Sequence, residues 1–335
     1  MPQQMQELAK LATLVQRKTE LVERSKKMRH LLLILPSGDA WHDAPDHEAA
    51  LAALRRRGKS ADTLAKQALT LELPGGCLSV WVRLDQAKSV FDWQTSLRQA
   101  IKPLLEEQAA EIDIAVYGDS EFCARAARTA AYVGWLNAAP LPSWKAGPRP
   151  TLLKRMNLHG VSGLSLARER ALAEGNTLCR ELTVLPPNLL NPASYRARIR
   201  GLAAAAGWKL EEYDIKRLSK LRAGAFLAVA RGSGHDHAAI VRLSYAGQGA
   251  KRKGAHIALV GKGICFDTGG HNLKPARYMN NMHDDMNGSA VALGILTAVS
   301  RLKMPVNLDV WLAIAENHLS PQAYTQNEVV TALNG

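Results

Sequence analysis

The sequence is poor in cysteine and in aromatic residues. Its four cysteines, Cys77, Cys123, Cys179 and Cys265, form no CxxC pair. This spacing excludes a zinc knuckle and a thioredoxin motif, and it predicts reduced, mostly buried thiols of a cytosolic protein. Aromatic residues make up only 5% of the chain. The core is therefore expected to consist mostly of aliphatic side chains and alanine.

Long hydrophobic runs are also absent. The apolar run LLLIL at residues 31–35 is far too short to span a membrane, because a spanning helix needs about 20 apolar residues. The N-terminus is charged and shows no secretory signal. These absences predict a cytoplasmic protein with no membrane partner.

Acidic residues are outnumbered by basic ones. The chain has 43 Lys and Arg against 30 Asp and Glu, a formal net charge of +13. A basic balance can indicate affinity for nucleic acid, but no basic patch is interleaved with aromatic residues and no nucleic-acid motif occurs. A basic soluble enzyme is the favoured interpretation. The alternative is a non-catalytic basic binding protein, with nucleic acid as its partner.

The length of 335 residues predicts two domains, since one domain usually takes roughly 100–200 residues. In the first half, strand and helix patterns alternate, as in α/β layer domains. Residues 5–29 are predicted to form an amphipathic helix, because Leu8, Leu11, Val15 and Val22 suit a period of about 3.6 residues. Strands are predicted at 31–35, 78–84 and 112–117, and helices at 49–57, 93–108 and 122–136.

The middle of the chain is rich in proline. Residues 137–160 predict an interdomain linker or covering loop, and a long helix then reaches about Thr183. Asn191 followed by Pro192 predicts an N-cap and a first helical residue. Further elements are predicted as strands at 209–213, 239–245, 256–260 and 306–315, an apolar turn at 224–230, a helical stripe at 293–302, and a turn or short helix at 327–333. The predicted domains are 1–145, a linker with a connecting helix at 146–184, and 185–335.

The densest cluster of charge and glycine lies at residues 260–286, VGKGICFDTGGHNLKPARYMNNMHDDM. It is predicted to be a glycine-rich loop between a strand that ends at Val260 and a helix that begins near Gly288. Functional groups collect at the carboxyl ends of strands in open α/β sheets. Asp267 and Asp285, as hard oxygen ligands, can converge there on a divalent cation. The alternative is that the acidic pair before the helix only complements the helix dipole.

Two lysines favour the metal interpretation. Lys262, at the predicted strand end, could lose its proton near metal ions and donate a nitrogen lone pair. Lys274 is predicted to stay charged and to stabilise a developing oxyanion. A phosphate-binding P-loop is excluded by the spacing. Cys265 as a nucleophile lacks a base, and His271 and His283 lack a helical HxxxH partner, so surface or supporting roles are expected for both histidines.

These motifs resemble those of the leucyl aminopeptidase family of dinuclear metallopeptidases (family M17). The segments VGKGICFDTGGHNLKP and MHDDMNGSA are similar to the family's lysine–aspartate loop. Residues 180–195, residues 224–234 and the pair Glu316-Asn317 are similar to three further family segments. The first half of the chain is only loosely similar. The matched positions of the loop are Lys262, Asp267, Gly269, Gly270, Lys274, Asp285, Met286 and Gly288.

The resemblance implies a fold, an activity and a set of roles. The fold would be α/β in two domains, a smaller N-terminal macro-like domain and a C-terminal α/β/α zinc-peptidase-like catalytic domain. Lys262, Asp267 and Asp285 would bind two divalent metal ions (manganese, zinc or magnesium), with Asp267 bridging them, and Lys274 would polarise the substrate carbonyl. Water activated by the two metals would release N-terminal residues, with a leucine-type preference, from peptides with a free N-terminus. The family is typically a cytoplasmic homohexamer.

The chain departs from the family pattern at its end. The family's second metal motif, NTDAEGRL, would follow Asn334-Gly335, where the chain stops. The resemblance therefore implies that the catalytic domain is incomplete here, with three protein ligands for two metal ions. A fragment of a longer gene product is the favoured interpretation. The others are a truncated gene with an inactive product, and a chain that does not fold stably because its unfinished sheet leaves an open edge.

Overall fold

The computed structural model describes residues 10–38, 43–146, 151–234, 237–249 and 256–335. The described chain divides into two compact units. The first comprises Lys10–Pro140 and Trp144–Ala173, and the second comprises Leu141–Ser143 and Glu174–Gly335. The division runs through the helix Ala167–Thr183, so the domain limits set at residues 145 and 184 stay predictions.

The first unit contains a six-stranded sheet in the order β1-β6-β5-β2-β4-β3. All neighbouring strands in it are parallel except β3 and β4, which are antiparallel. Three of its strands and three of its helices were predicted from the sequence and are confirmed within a few residues. The elements are β1 (Thr13–Arg17), β2 (His30–Pro36), α1 (His47–Arg56), a 3-10 turn (Ala61–Ala65), β3 (Leu69–Leu73), β4 (Cys77–Leu84), α2 (Val90–Glu106), β5 (Glu111–Val116), α3 (Ser120–Ala138) and β6 (Arg155–His159). Helix α4 (Ala167–Thr183) follows, and the division between the units runs through it.

Strand β2 shows why the sheet of the first unit is covered on both faces. Leu32 and Ile34 pack in one core cluster with residues of α2 and α3. Leu31, Leu33 and Leu35 pack in a second cluster, which includes residues of α1. A strand buried on both faces needs a continuous apolar run rather than alternation. The run LLLIL is therefore the sequence signature of a central parallel strand.

Two predictions for the first unit are wrong. Residues 10–29 form no helix, and Thr13–Arg17 is instead strand β1, parallel to β6. Residues 5–9 of the predicted helix lie outside the described part. The predicted linker at 137–160 contains β6, which pairs with both β1 and β5. Both strands depend on pairing between segments far apart in the sequence, which local periodicity does not report.

The second unit is built on a four-stranded sheet in the order β7-β8-β10-β9. Strands β9 and β10 are parallel, and β8 is antiparallel to both β7 and β10. The elements are α5 (Pro192–Ala206), β7 (Lys209–Asp214), α6 (Ile215–Lys220), α7 (Gly224–Ala230), a 3-10 turn (Arg231–Ser233), β8 (Ala239–Ala246), β9 (His256–Asp267), α8 (Ala276–Met279), a 3-10 turn (Met282–Asp284), α9 (Asn287–Arg301) and β10 (Asn307–Asn317). Residues 224–230 thus form a helix rather than the predicted turn, and no helix occurs at 327–333.

Helices cover both faces of this second sheet. Cys265 and Ile314 face a core cluster shared with α5 and α9. Ile264 and Ala315 face the opposite side, where they pack with Phe226 of α7. The unit is therefore a three-layer α/β/α arrangement, as the family resemblance implies. Among the described residues, every helix is too short or too polar to cross a membrane.

Asn191 caps helix α5 as predicted. Its side chain accepts a hydrogen bond from the Ser194 amide, and the Ser194 hydroxyl accepts one from the Asn191 amide, each at 3.0 Å. Substitution Asn191→Ala removes one partner of this capping box, so we expect the free energy of unfolding to fall by about 1 kcal/mol. Urea unfolding of wild type, Asn191→Ala and the capping-competent control Asn191→Ser measures this. Equal midpoints for wild type and Asn191→Ala would contradict it.

Candidate metal centre

Strand β9 extends further than the sequence predicts. It runs His256–Asp267 rather than ending at Val260, because its residues pair with β10 continuously from His256↔Asn307 to Ile264↔Ala315. Lys262 therefore lies in the middle of the strand and Asp267 is its last residue. The expectation that Lys262 marks the strand's carboxyl end is wrong.

Lys262 and Asp285 meet because glycines allow α9 to approach β9 closely. A Cβ atom on Gly261 would lie 2.6 Å from Ser289 Cα, and one on Gly288 would lie 3.0 Å from the Lys262 backbone nitrogen. The first distance leaves no room for a side chain, and the second is tighter than ordinary van der Waals contact. Glycine on both elements therefore permits the close approach. The result places Lys262 Nζ 2.7 Å from Asp285 Oδ2.

Asp285 does not cap the helix that follows it. The N-cap of α9 is Met286, no side chain caps it, and its first turn holds no acidic residue. Asp285 Oδ2 is instead buried without a hydrogen bond, so its contact with the Lys262 ammonium is an ion pair of poor hydrogen-bond geometry. A buried carboxylate oxygen with spare acceptor capacity is unusual and is suited to binding a cation.

Asp267 and Lys274 form a second pair across a tight turn. Gly269 and Gly270 adopt positive φ angles of 90° and 63°, which side chains other than glycine rarely adopt. The Lys274 amide donates to the Thr268 carbonyl at 2.9 Å, closing the turn. Lys274 Nζ then donates to Asp267 Oδ2 at 2.7 Å.

The other oxygen of Asp267 accepts two hydrogen bonds. The Gly269 amide donates to Oδ1 at 2.9 Å and Asn317 Nδ2 donates to it at 2.7 Å. Burial acts to raise the pKa of Asp267, but the donors Lys274, Gly269 and Asn317 outweigh it, so the pKa lies below its ordinary value. The carboxylate is therefore held ionised and in one orientation.

Two contacts of this site were not predicted. Asn317 binds Asp267, and the sulfur of Met282 lies 3.0 Å from Lys274 Nζ. The sequence pattern gave Asn317 only as part of a family-like Glu-Asn pair at a strand end. Because its contact spans 50 positions, strand register was needed to find it.

A cavity of about 320 Å³ lies beside these pairs. It combines a mostly apolar wall with three polar residues of the site. The lining residues are Phe226, Val229, Lys262, Ile264, Asp267, Ala313, Ala315 and Asn317. Lys262 lines this cavity with Asp267 and also contacts Asp285, so it links the two lysine–aspartate pairs.

The donor set fits part of a divalent metal site. Within the described ranges, no group of three His, Cys, Asp or Glu side chains is arranged to hold a metal, so Lys262 is needed to bring the candidate protein ligands here to three. The lysine can bind a metal only as a neutral amine, whereas Asp267 and Asp285 offer carboxylate oxygens. The unbonded Oδ2 of Asp285 is the structural observation that supports this fit.

Burial and contacts decide the roles of two nearby residues, Cys265 and His271. Cys265 is completely buried, and burial raises the pKa of its thiol, so it is not a reactive nucleophile. The four cysteines are all free. His271 is exposed, with Nδ1 3.2 Å from the Tyr324 carbonyl oxygen, as expected for a surface residue.

Comparison with known proteins relates the second unit to a family. Residues 177–335 match the model of the cytosol aminopeptidase family, catalytic domain. The match covers slightly less than half of the chain. A probable cytosol aminopeptidase of Stutzerimonas stutzeri is 46% identical over 171 residues, which are 50% of this chain and 34% of that relative. The chain thus matches about a third of this curated relative's length.

Solved structures of the family share the fold. A tomato leucine aminopeptidase mutant aligns with a TM-score of 0.79 at 22% identity, covering 98% of this chain and 67% of that one. The bottromycin maturation enzyme BotP in complex with Mn aligns with a TM-score of 0.71 at 24% identity, covering 91% and 63%. The similarity therefore extends over both units, beyond the segment that the family model matches.

Proposed function

We propose that the natural gene product carrying this chain is a metal-dependent aminopeptidase that releases N-terminal residues, leucine among them, from peptides. The observation that carries the proposal is the pairing of Lys262 with Asp285 and of Lys274 with Asp267 beside one cavity. The names of the relatives support an aminopeptidase. The BotP complex with Mn supports a divalent ion, with zinc and magnesium as the other candidates.

Each polar residue has a role in this proposal. Lys262, Asp267 and Asp285 hold two divalent metal ions. Bound metal supplies Lewis acidity and makes water a nucleophile at neutral pH. The ammonium of Lys274 has three donors, so donation to Asp267 leaves others for the substrate carbonyl oxygen as negative charge develops on it.

The remaining attributes follow from the family and the cavity. The mostly apolar wall beside Lys262, which includes Phe226 and Val229 of α7, suits an aliphatic side chain such as that of an N-terminal leucine. Cytoplasmic location and a homohexameric assembly are inferred from the family alone. Peptides with a free N-terminus are the proposed substrates.

Hydrolysis of leucine p-nitroanilide tests the proposal. We expect the natural gene product to release p-nitroaniline with Mn²⁺, to lose this activity when a chelator removes the metal, and to regain it when Mn²⁺ is restored. An N-terminally acetylated substrate is the control and should not be cleaved. A folded protein that shows no metal-dependent release would contradict the proposal.

A further inference from the structure

A bulge between β9 and β10 sets the direction of Asp267. Ala315 pairs with Ile264, but the next recorded pair is Asn317 with Asp267, so two steps along β10 are matched with three along β9. Bulges occur mostly in antiparallel pairs, often next to active sites, where they re-aim a side chain. This one joins parallel strands at the end of the candidate site.

The bulge reverses the face on which Asp267 would otherwise lie. Side chains alternate along a strand, so Lys262 and Ile264 share a face that Asp267, three residues further on, would not share. With the extra residue, Asp267 lines the same cavity as Lys262 and Ile264. Cys265, between them, faces the opposite core. Asn317 also lies on the cavity face, which it shares with Ala313 and Ala315 as every second residue of β10.

Two sets of contacts fix Asn317 opposite Asp267. Its carbonyl oxygen accepts hydrogen bonds from both the amide and the hydroxyl of Thr268, each at 2.8 Å. Its side-chain Nδ2 donates to Asp267 Oδ1 at 2.7 Å. The backbone contacts hold the bulge independently of the Asn317 side chain. The side-chain amide is therefore available to donate to the Asp267 carboxylate.

We propose that Asn317 is the positioning residue of the metal centre, and that its amide orients the Asp267 carboxylate for a divalent cation. This inference rests on the proposed metal site. Donors from three directions, Lys274, the Gly269 amide and Asn317, hold the carboxylate plane. Lys274 is a cation, so it competes with a metal ion for Asp267, and the Gly269 amide belongs to the turn itself. Asn317 is the one neutral side chain among these three donors. A partner of this kind fixes a ligand without displacing the metal.

Loss of the Asn317 amide is expected to lower the affinity for metal without changing the fold. Loss of a hydrogen-bonding partner of a metal ligand typically weakens binding about 10- to 100-fold. Asn317→Leu keeps the branched shape and the number of heavy atoms of the side chain and removes the donor. We therefore expect the Mn²⁺ dissociation constant of this variant to rise by roughly 10- to 100-fold, with an unchanged circular dichroism spectrum. Asn272→Ala, an exposed asparagine on the neighbouring turn, is the matched control and should bind as wild type does.

Mn²⁺ titration followed by the electron paramagnetic resonance signal of the free ion measures these constants without substrate. Equal affinity of Asn317→Leu and wild type would overturn the inference and leave the proposed function standing. Absence of binding by wild type would overturn the metal site itself. It would overturn the positioning role as well, because that role is defined by the metal.

Discussion

Replacement of Asp267 by alanine is expected to abolish metal-dependent release of leucine by the natural gene product. Among the candidate ligands, this carboxylate has the most hydrogen bonds, and both of its oxygens accept them. Bound metal supplies several kcal/mol of transition-state stabilisation, and each 1.4 kcal/mol or so is a factor of ten in rate. We therefore expect kcat/KM for leucine p-nitroanilide to fall by roughly 1000-fold or more. The unfolding midpoint should move little, because Lys274 is partly exposed and can be hydrated when its partner is lost.

Asp284→Ala is the control for this substitution. Asp284 is exposed on the 3-10 turn next to Asp285, and it carries the same charge as Asp267 without lining the cavity. We expect this variant to keep most of the activity. A variant Asp267→Ala that is folded and retains turnover within tenfold of wild type would reject Asp267 as a metal ligand.

Replacement of Gly261 by valine is expected to destabilise the second unit and to separate Lys262 from Asp285. The Cβ atom of a valine at position 261 would lie 2.6 Å from Ser289 Cα and 2.9 Å from both the Gly288 oxygen and the Ser289 nitrogen. These are backbone atoms of α9, so no side-chain rotation relieves the clash. Overpacking of this kind costs about 3 kcal/mol or more in the free energy of unfolding. Urea unfolding measures that cost, and Mn²⁺ titration should show weaker binding.

Gly201→Ala tests the cause of the lost stability in Gly261→Val. It separates the close contact between β9 and α9 from the mere removal of a glycine. Gly201 lies within α5, and a Cβ atom there would have no heavy atom within 4 Å. Since glycine costs a helix about 0.5–1 kcal/mol relative to alanine, this variant should be slightly more stable than wild type. If Gly261→Val unfolded at the wild-type midpoint with unchanged Mn²⁺ affinity, the packing explanation of the Lys262–Asp285 pair would be wrong.

Patterns that depend on local sequence predicted much of the fold. The run LLLIL predicted the strand at residues 31–35, and Asn191 with Pro192 predicted the start of α5, because burial and capping act within a few residues. The N-terminal helix was wrong for the opposite reason. Val15 and its neighbours suit a helical period, yet Thr13–Arg17 pairs with β6, which lies far away in the sequence. Long-range pairing of this kind overrides local preference.

The candidate site was predicted in composition but not in geometry. Gly261 and Gly263 look like the start of a loop, whereas both belong to β9, and Gly261 makes room for α9. The bulge opposite Asn317 could not be predicted, since it is a property of the register between two strands. The residues Lys262, Asp267, Lys274 and Asp285 were chosen by chemistry and resemblance. Strand pairing then determines which lysine contacts which aspartate.

Anomalous diffraction at the manganese edge, from crystals of the natural gene product grown with Mn²⁺, tests the central claim most directly. The account predicts a peak within bonding distance of Lys262 Nζ, an oxygen of Asp267 and an oxygen of Asp285. It also predicts that the ion displaces the Lys262–Asp285 ion pair, which has an N–O distance of 2.7 Å without metal. Manganese bound elsewhere, with both lysine–aspartate pairs intact, would contradict it.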